Sequence, residues 1–286
     1  MIEFRADLHC HTTCSDGTSS PKQVIDLAKS IGLSGLSITD HDTLESYAEA
    51  FPYAAEVGMR LLPGVELSTV HKGASIHVLA YAFSYPSQIL QGFCKIHHEK
   101  RIMRNLEIIQ LLNKHGMPLT FDEVKNAYFE YSGKSATLIQ RPHIALAMLK
   151  KGYVSSIPEA FNLYIGEDKP CFVPGSYHSV EETIDTIHEA GGLAVIAHPH
   201  LIMNQRIVND LSAMKFDGLE AYYACLTPLQ EKRWVKLAQK KGWLITGGSD
   251  YHGAIKPNIP LGASWVGQET FDYLYSHFQF NTALKA

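Results

Sequence analysis

Residues able to hold cations crowd the ends of apolar runs in this chain. "RADLHCHTTCSDG" carries His9, His11 and Asp16, and "SITDHDT" carries Asp40, His41 and Asp42. "LLPGVELS" contains Glu66, and His77 sits inside "SIHVLAYAF". "LAVIAHPH" ends on His198 and His200, and "GGSDYHG" places Asp250 and His252 two apart. Each piece has an ordinary explanation. A His-x-His pair can be satisfied in a core, Asp16 suits a turn, Asp40 and Asp42 suit helix caps, and a lone histidine in an apolar strand is usually a hydrogen-bonded core residue. A buried carboxylate such as Glu66, however, is costly unless paired or ligated. Six strand ends bearing ligand-type residues exceed what capping requires, so the set reads as a metal centre. Imidazole mixed with carboxylate, with no required thiolate, suits zinc, manganese or iron.

Strand geometry supports this. His9 and His11 are two apart, so in a strand they share one face while Leu8 and Cys10 take the other. Cys10 and Cys14 form a CxxxC without a second pair, which is poor evidence for a zinc finger, and Cys10 reads as a core residue.

The elements that must position these residues follow from the pattern. "EFRADLHCH" alternates as a strand ending at His11, and "SPKQVIDLAKSIG" has a Ser cap, Pro at the first helical position, an apolar stripe and a Gly stop. "LSGLSIT" is a second strand, and "TLESYAEAFPYAAEVG" a helix with a kink or break at Pro52. "MRLLPGVELSTV" and "ASIHVLAYAF" form a hairpin through His71-Lys72-Gly73. Patterns from Pro86 to Pro174 are helical. Then strand–helix alternation resumes through "LAVIAHPH", "FDGLEAYY", "WLITGGSDYHG" and a last strand "LGASWVG". Repeated β-then-α order predicts a parallel sheet. The fold class is therefore α/β: a distorted (β/α)7 barrel from 1–85 and 175–286, with a helical insert at 86–174. In such folds functional residues gather at the carboxyl ends of strands, where these residues lie.

Totals narrow the function classes. The chain has 286 residues, 45% hydrophobic, with net charge −4 and 15 histidines. That is enough to bury a full core, with no global basic field for gripping duplex DNA. Five cysteines without framework spacing fit a reducing compartment. With no apolar leader and no bilayer-length run, the expectation is a cytoplasmic protein without a membrane partner.

The motifs "DLHCHTTCSDG", "ITDHDT", "PGVELS", "HVLAY", "AHPH" and "GGSDYHG" together resemble the polymerase and histidinol phosphatase (PHP) family, over nearly the whole chain to about Gly267. The likeness is greatest to stand-alone phosphoesterases acting on nucleoside 3′,5′-bisphosphates and on the 5′ ends of short RNAs. Their helical insert is matched by "EKRIMRNLEIIQLLNKHGMPLTFDEV" and "RPHIALAMLKKGYVSSIPEAFNLYIGEDKPCFVP". The resemblance implies two or three divalent ions (Mn, Zn or Fe). His9, His11, Glu66 and Asp250 would hold one. Glu66 would bridge to a second, held also by His77 and His198. Asp16, His41 and His252 would hold the third. Other branches can carry histidine at the Asp16 position, so Asp here bears on metal preference. Gln140 stands where glycine is common in relatives, and "FVPGSYHS" lacks a basic residue that often follows its "VP".

Two such ions roughly 3.5–4 Å apart bring a bridging water near neutral pKa and clamp a phosphoryl group. No G-x-S-x-G elbow and no P-loop offers another nucleophile. The expected reaction is attack of metal-bound hydroxide on the 5′-phosphate of a nucleoside 3′,5′-bisphosphate, extending to short 5′-phosphorylated RNA. A histidinol-phosphate phosphatase is the alternative, and a non-catalytic PHP binding module the alternative of another class. Hydrolysis of an amide or of another phosphodiester also stays open. Arg141, His143 and His200 are the expected phosphate contacts, Arg141 for its bidentate fork. Asp42 is expected to orient His41 or to help protonate the leaving oxygen, and Asp7 shares that ambiguity. Tyr222 and Tyr223 are barrel wall or a base platform. Arg101 and Arg104 on the long helix either line the same cleft as Arg141 or, as His97 and His98 do, belong to a solvated helix face, the reading preferred for both, and His115 reads as a helix C-terminal residue.

Overall fold

The computed structural model describes residues 3–133, 139–174 and 178–283. Seven strands follow one another in spatial order: β1 (Ala6–Asp7), β2 (Gly35–Ile38), β3 (Arg60–His71), β4 (Ala74–Tyr81), β5 (Leu193–Ile196), β6 (Gly218–Tyr223) and β7 (Leu244–Gly248). Helices α1 (Pro21–Ser30) and α2 (Ser46–Val57) join the first three strands. Helices α3 (Gln88–Lys114), α4 (Phe121–Ser132), α5 (Arg141–Lys150) and α6 (Ile157–Ala160) lie between β4 and α7 (Val180–Glu189). Helices α8 (Gln205–Leu211), α9 (Pro228–Lys241) and α10 (Gln268–Ala283) complete the chain. The result is a nearly closed, distorted α/β barrel.

Local chemistry sets the helix boundaries. Ser20 caps α1 in a reciprocal box with Gln23, and Pro21 opens the helix. Thr120 with Glu123 and Ser179 with Glu182 do the same for α4 and α7. Each box satisfies donors that would otherwise face water or the core unpaired. Pro52 does not break α2, which runs unbroken from Ser46 to Val57.

The sheet is mixed, not parallel as the alternation predicts. β1–β2–β3 and β5–β6–β7 pair parallel, but β4 is antiparallel to both neighbours. The cause is the hairpin, where Lys72 and Gly73 both take positive φ, 49° and 85°, and this tight turn reverses the chain without a crossover helix. "LGASWVG" is no strand either. Only Val266 pairs there, exchanging hydrogen bonds of 3.0 and 2.9 Å with Ala6.

The barrel closes where the first site segment meets the last. Leu8 N–H reaches the Gly247 carbonyl, Asp250 N–H the His9 carbonyl (2.8 Å) and His11 N–H the Tyr251 carbonyl (2.8 Å). Asp7 ties this seam, its carboxylate accepting from the backbone N–H groups of His9, Ser249 and Gly262. A Cβ on Gly248 would stand 2.4 Å from His9 N and 2.5 Å from His9 Cβ, so only glycine permits the approach.

One core lies inside the barrel, with Leu8, Leu62, Leu79 and Val195 reaching Phe271 and Leu274 of α10. A larger core packs the helices on the outside of the strands. A third, with Ile108, Leu112, Ile144, Met148 and Ile165, belongs to α3–α6. We propose that this separate core makes 86–174 an insert on the barrel of 1–85 and 175–286. The middle of α3 departs from expectation. His97, Arg101 and Arg104 are 3–5% exposed because that face lies against the barrel mouth, not in solvent. Among the described residues no helix is long and apolar enough to cross a membrane.

Gly248→Ala forces strand β7 off His9. Overpacking of this kind typically costs about 1–3 kcal/mol. The expected outcome is a lowered thermal midpoint together with weakened metal binding. A variant with unchanged melting and metal content would show that the seam is not a tight approach.

Candidate metal centre

Glu66 is the hub. It lies in β3, 1% exposed, and five imidazoles converge on its carboxylate. Oε2 stands 3.3 Å from His9 Nε2, 3.2 Å from His11 Nε2 and 3.2 Å from His41 Nδ1. Oε1 stands 2.8 Å from both His77 Nδ1 and His198 Nε2. Asp250 Oδ1 adds a second acceptor 3.2 Å from His11 Nε2 and 3.4 Å from His252 Nδ1. Asp16 Oδ1 lies 3.3 Å from His252 Nε2 and 3.6 Å from His11 Nδ1.

Three sets have ligand atoms mutually within 4.8 Å: His9, His11, Glu66 and Asp250; His41, Glu66 and His77; and His11, Asp16, His41 and His252. All nine residues expected as ligands therefore meet in one place. The grouping differs in detail from the expected partition. His11 also reaches the Asp16 set and His41 the Glu66–His77 set, while His198 Nε2 lies 3.3 Å from His77 Nδ1. The chemistry of the donors fits cations. His11 Nε2 and His41 Nδ1 are buried without hydrogen-bond partners although carboxylate oxygens stand beside them. A neutral ring presenting a lone pair to a carboxylate is repelled, so these contacts require a proton or a metal ion between them.

Local backbone explains how the strand ends deliver these groups. Asp42, His198 and Asp250 adopt φ of 52°, 27° and 56°. Such conformations cost free energy for non-glycine residues and persist where surroundings hold them, often at sites. Glu220, fully buried in β6, supplies part of that hold. Its Oε1 accepts from His9 Nδ1 at 2.8 Å and its Oε2 from His198 N–H at 2.7 Å. This fixes the His9 tautomer so that Nε2 faces Glu66, in the manner of a carboxylate behind a ligating histidine. Asp40 does similar work for the loop after β1, accepting from Thr12 N–H, Thr12 Oγ1 and Ser15 Oγ.

Other expectations are corrected. Asp42 does not orient His41. Its carboxylate accepts from Ser68 N–H and Ser68 Oγ, both at 2.8 Å, and pairs with the Arg101 guanidinium. Arg101 also donates to Gln140 Oε1 at 2.8 Å, tying the barrel to the loop that starts α5. His143 is spent on capping α5: its Nδ1 accepts from Gln140 N–H at 2.9 Å, and its ring packs on Tyr128. His200 packs at a tilt against Tyr223, ring centroids 4.3 Å apart and planes at 53°, and does not line the cleft above the centre. Arg141 does line it, with Arg101, Arg104 and Lys256. Glu220, Lys256 and the Tyr223 hydroxyl stand at the centre without being among the expected site groups; the last two each donate to Asp250 Oδ2 at 2.7 Å. Glu220 could have been found, because a charge in the apolar "FDGLEAYY" must be paired. The residues missing a basic group after Pro174 lie outside the described residues.

Comparison with known proteins places this geometry. The PHP domain model matches residues 7–195. The chain belongs to the PHP domain family. A 5′-3′ exoribonuclease of Haemophilus influenzae is 34% identical, over 86% of this chain and 89% of its own. A 3′,5′-nucleoside bisphosphate phosphatase of Chromobacterium violaceum is 29% identical over 86% of each. The crystal structure of a metal-dependent phosphoesterase, described as putative, from Bifidobacterium adolescentis superposes with TM-score 0.83 at 30% identity, covering 95% of this chain and 96% of that one. As a PHP protein with this centre, the chain is a phosphoric ester hydrolase.

Electrostatics of the PHP centre without metal set a measurable coupling. Burial lowers His11, but the Asp250 and Glu66 carboxylates facing its ring outweigh it and push its pKa up to about 9. Burial also disfavours charge on His9, yet Glu220, Glu66 and Asp250 hold its pKa well above the ordinary value. Burial would raise the Glu66 carboxyl, while His41, His77 and His9 keep it well below the carboxylate range. Below pH 9 the metal-free protein therefore carries protons that ligation must displace. Calorimetric titration with manganese at pH 7, in buffers of differing ionisation enthalpy, should show net proton release, with affinity rising towards pH 9. Binding that is independent of pH and releases no proton would contradict this protonation pattern.

Proposed function

We propose that this phosphoesterase hydrolyses the 5′-phosphate of nucleoside 3′,5′-bisphosphates and releases nucleotides from short 5′-phosphorylated RNA. The observation that carries the reading is Arg141. Its guanidinium opens onto the cleft that holds Asp16, Glu66 and His198. Among the described residues its guanidinium hydrogen-bonds through one long contact, 3.5 Å, to the Ile165 carbonyl. Among the described residues no carboxylate forms an ion pair with it. A largely buried, unpaired cation beside a centre of histidines and carboxylates is suited to an anionic substrate group. The cleft encloses about 290 Å³, near the lower end of small-ligand pockets.

Two or three divalent ions held by the nine ligands would supply an activated water and neutralise the charge that develops on a phosphoryl group. The chain's own residues do the rest. Glu220 and Asp40 hold the ligands in register. Arg101, braced by Asp42 and Ser68, fixes the start of α5 so that Arg141 stays over the centre. Lys256 balances Asp250 and adds positive charge to the wall facing the substrate. Three arginines and a lysine around the cleft disfavour the cationic histidinol phosphate. The names of the Haemophilus and Chromobacterium relatives favour nucleotides in the same direction.

The test is phosphate release by protein loaded with manganese, zinc or iron. Substrates would be adenosine 3′,5′-bisphosphate, histidinol phosphate and a 5′-phosphorylated RNA pentamer, with His9→Ala as the inactive control. Turnover of the bisphosphate and appearance of mononucleotides from the RNA are expected. Arg141→Met should raise KM for the bisphosphate about 10–100-fold, the usual scale for losing a hydrogen bond to a charged group. Release from histidinol phosphate alone would overturn the substrate assignment.

A further inference from the structure

The cleft is lined mostly by charged and ligand-type side chains, but Pro142, Phe161 and Leu201 give it apolar surface as well. Phe161 and Leu201 also line an adjoining lobe of about 250 Å³ that shares Ser75, His77, Arg141 and His198 with the cleft. They come from opposite bodies. Phe161 begins a π-helical turn, Phe161–Ile165, of the insert, and Leu201 ends the short turn Pro199–Leu201 after β5. An exposed leucine alone is ordinary. Leu201, 57% exposed, is different because it lines the same opening as an aromatic ring.

The turn fixes that ring. Gly166 N–H donates to the Phe161 carbonyl at 2.9 Å, and a Cβ on Gly166 would stand 2.3 Å from that oxygen. Such single π turns interrupt helices mainly at functional places. The Arg141 guanidinium carbon sits 5.7 Å from the Phe161 ring centroid. Phe161 is therefore one of two rings beside this cation, Phe172 being the other at 5.7 Å, and of the two it is the one that lines the cleft, which places a flat apolar contact beside an anion contact.

We propose that Phe161 and Leu201 clamp the nucleobase of the substrate while Arg141 holds a phosphate of the same molecule. The occupant is a base because the contact pairs one π face with one aliphatic edge and is continuous with the cationic wall, which demands a phosphorylated aromatic. The contact itself is made by a ring and an aliphatic side chain, so the clamp accepts all four bases, as stacking platforms do. The clamp rests on the nucleotide reading above and names how the base is recognised.

The experiment compares dissociation constants of adenosine 3′,5′-bisphosphate and ribose 5-phosphate for the manganese-loaded protein by calorimetry, alongside hydrolysis of both. Wild type should bind the bisphosphate more tightly. Phe161→Ala should weaken it about 10-fold, within the range for loss of one stacked base, and leave ribose 5-phosphate within about twofold. Leu201→Ser should give the same pattern, and Phe161→Tyr, which keeps the ring, should retain wild-type affinity. Equal losses on both ligands, no loss on the bisphosphate, or wild-type binding no tighter than for the sugar phosphate would overturn the clamp. Hydrolysis of the bisphosphate with an indifferent Phe161→Ala would remove the clamp and keep the proposed function. Selective weakening without any hydrolysis would do the reverse.

Discussion

Everything at this site depends on one buried carboxylate that too many imidazoles share. Glu66 meets His9, His11, His41, His77 and His198 within 3.3 Å. Burying an anion costs several kcal/mol unless cations or donors surround it, and neutral histidines supply only part of what it needs. The cluster is stable when cations occupy the spaces between rings and carboxylates. That requirement explains why the surroundings are rigid instead of adaptable.

The rigidity is built in layers. Strand ends deliver the ligands, residues at positive φ turn three of the chains sharply, and buried carboxylates behind them fix the rings. Asp7 and the close approach at Gly248 close the barrel where the first and last ligand segments meet. The insert is fastened to this frame by Arg101, which links Asp42 on the barrel to Gln140 at the start of α5. An arginine that seemed to belong on a solvated helix instead sets where Arg141 stands. The clustered histidines and carboxylates thus come from the barrel segments and Arg141 from α5, and Arg101 is one of several links between them, Tyr128 donating to the Gly17 carbonyl being another.

How far the sequence could reveal this follows from the range of each interaction. The ligands were legible because apolar runs mark strand ends; the strand expected to reach His11 stops at Asp7, and His9 and His11 follow it in the segment that closes the barrel. The hairpin at His71-Lys72-Gly73 was legible and makes β4 antiparallel to β3, but the strand–helix alternation around it hid that β4 also runs antiparallel to β5. The burial of His97, Arg101 and Arg104 was hidden by residue type, although their spacing continues the stripe of Leu90, Phe93, Ile108 and Leu112 on the same face of α3. Asp42 and His143 depart from expectation because their partners are set by the fold: Asp42 meets Ser68 and Arg101, remote in sequence, and His143 turns back to the Gln140 N–H. Glu220 shows the opposite case, where a buried charge in an apolar strand carried information that periodicity alone does not weigh.

The most direct test of the shared-carboxylate account is a count of bound metal in wild type and Glu66→Gln by anomalous diffraction from manganese-soaked crystals. The account predicts at least two manganese peaks in wild type, both beside Glu66. It predicts loss of the peak between Glu66 and His77 in the variant, with the barrel intact. A single peak remote from Glu66, or the same peaks in both proteins, would contradict it.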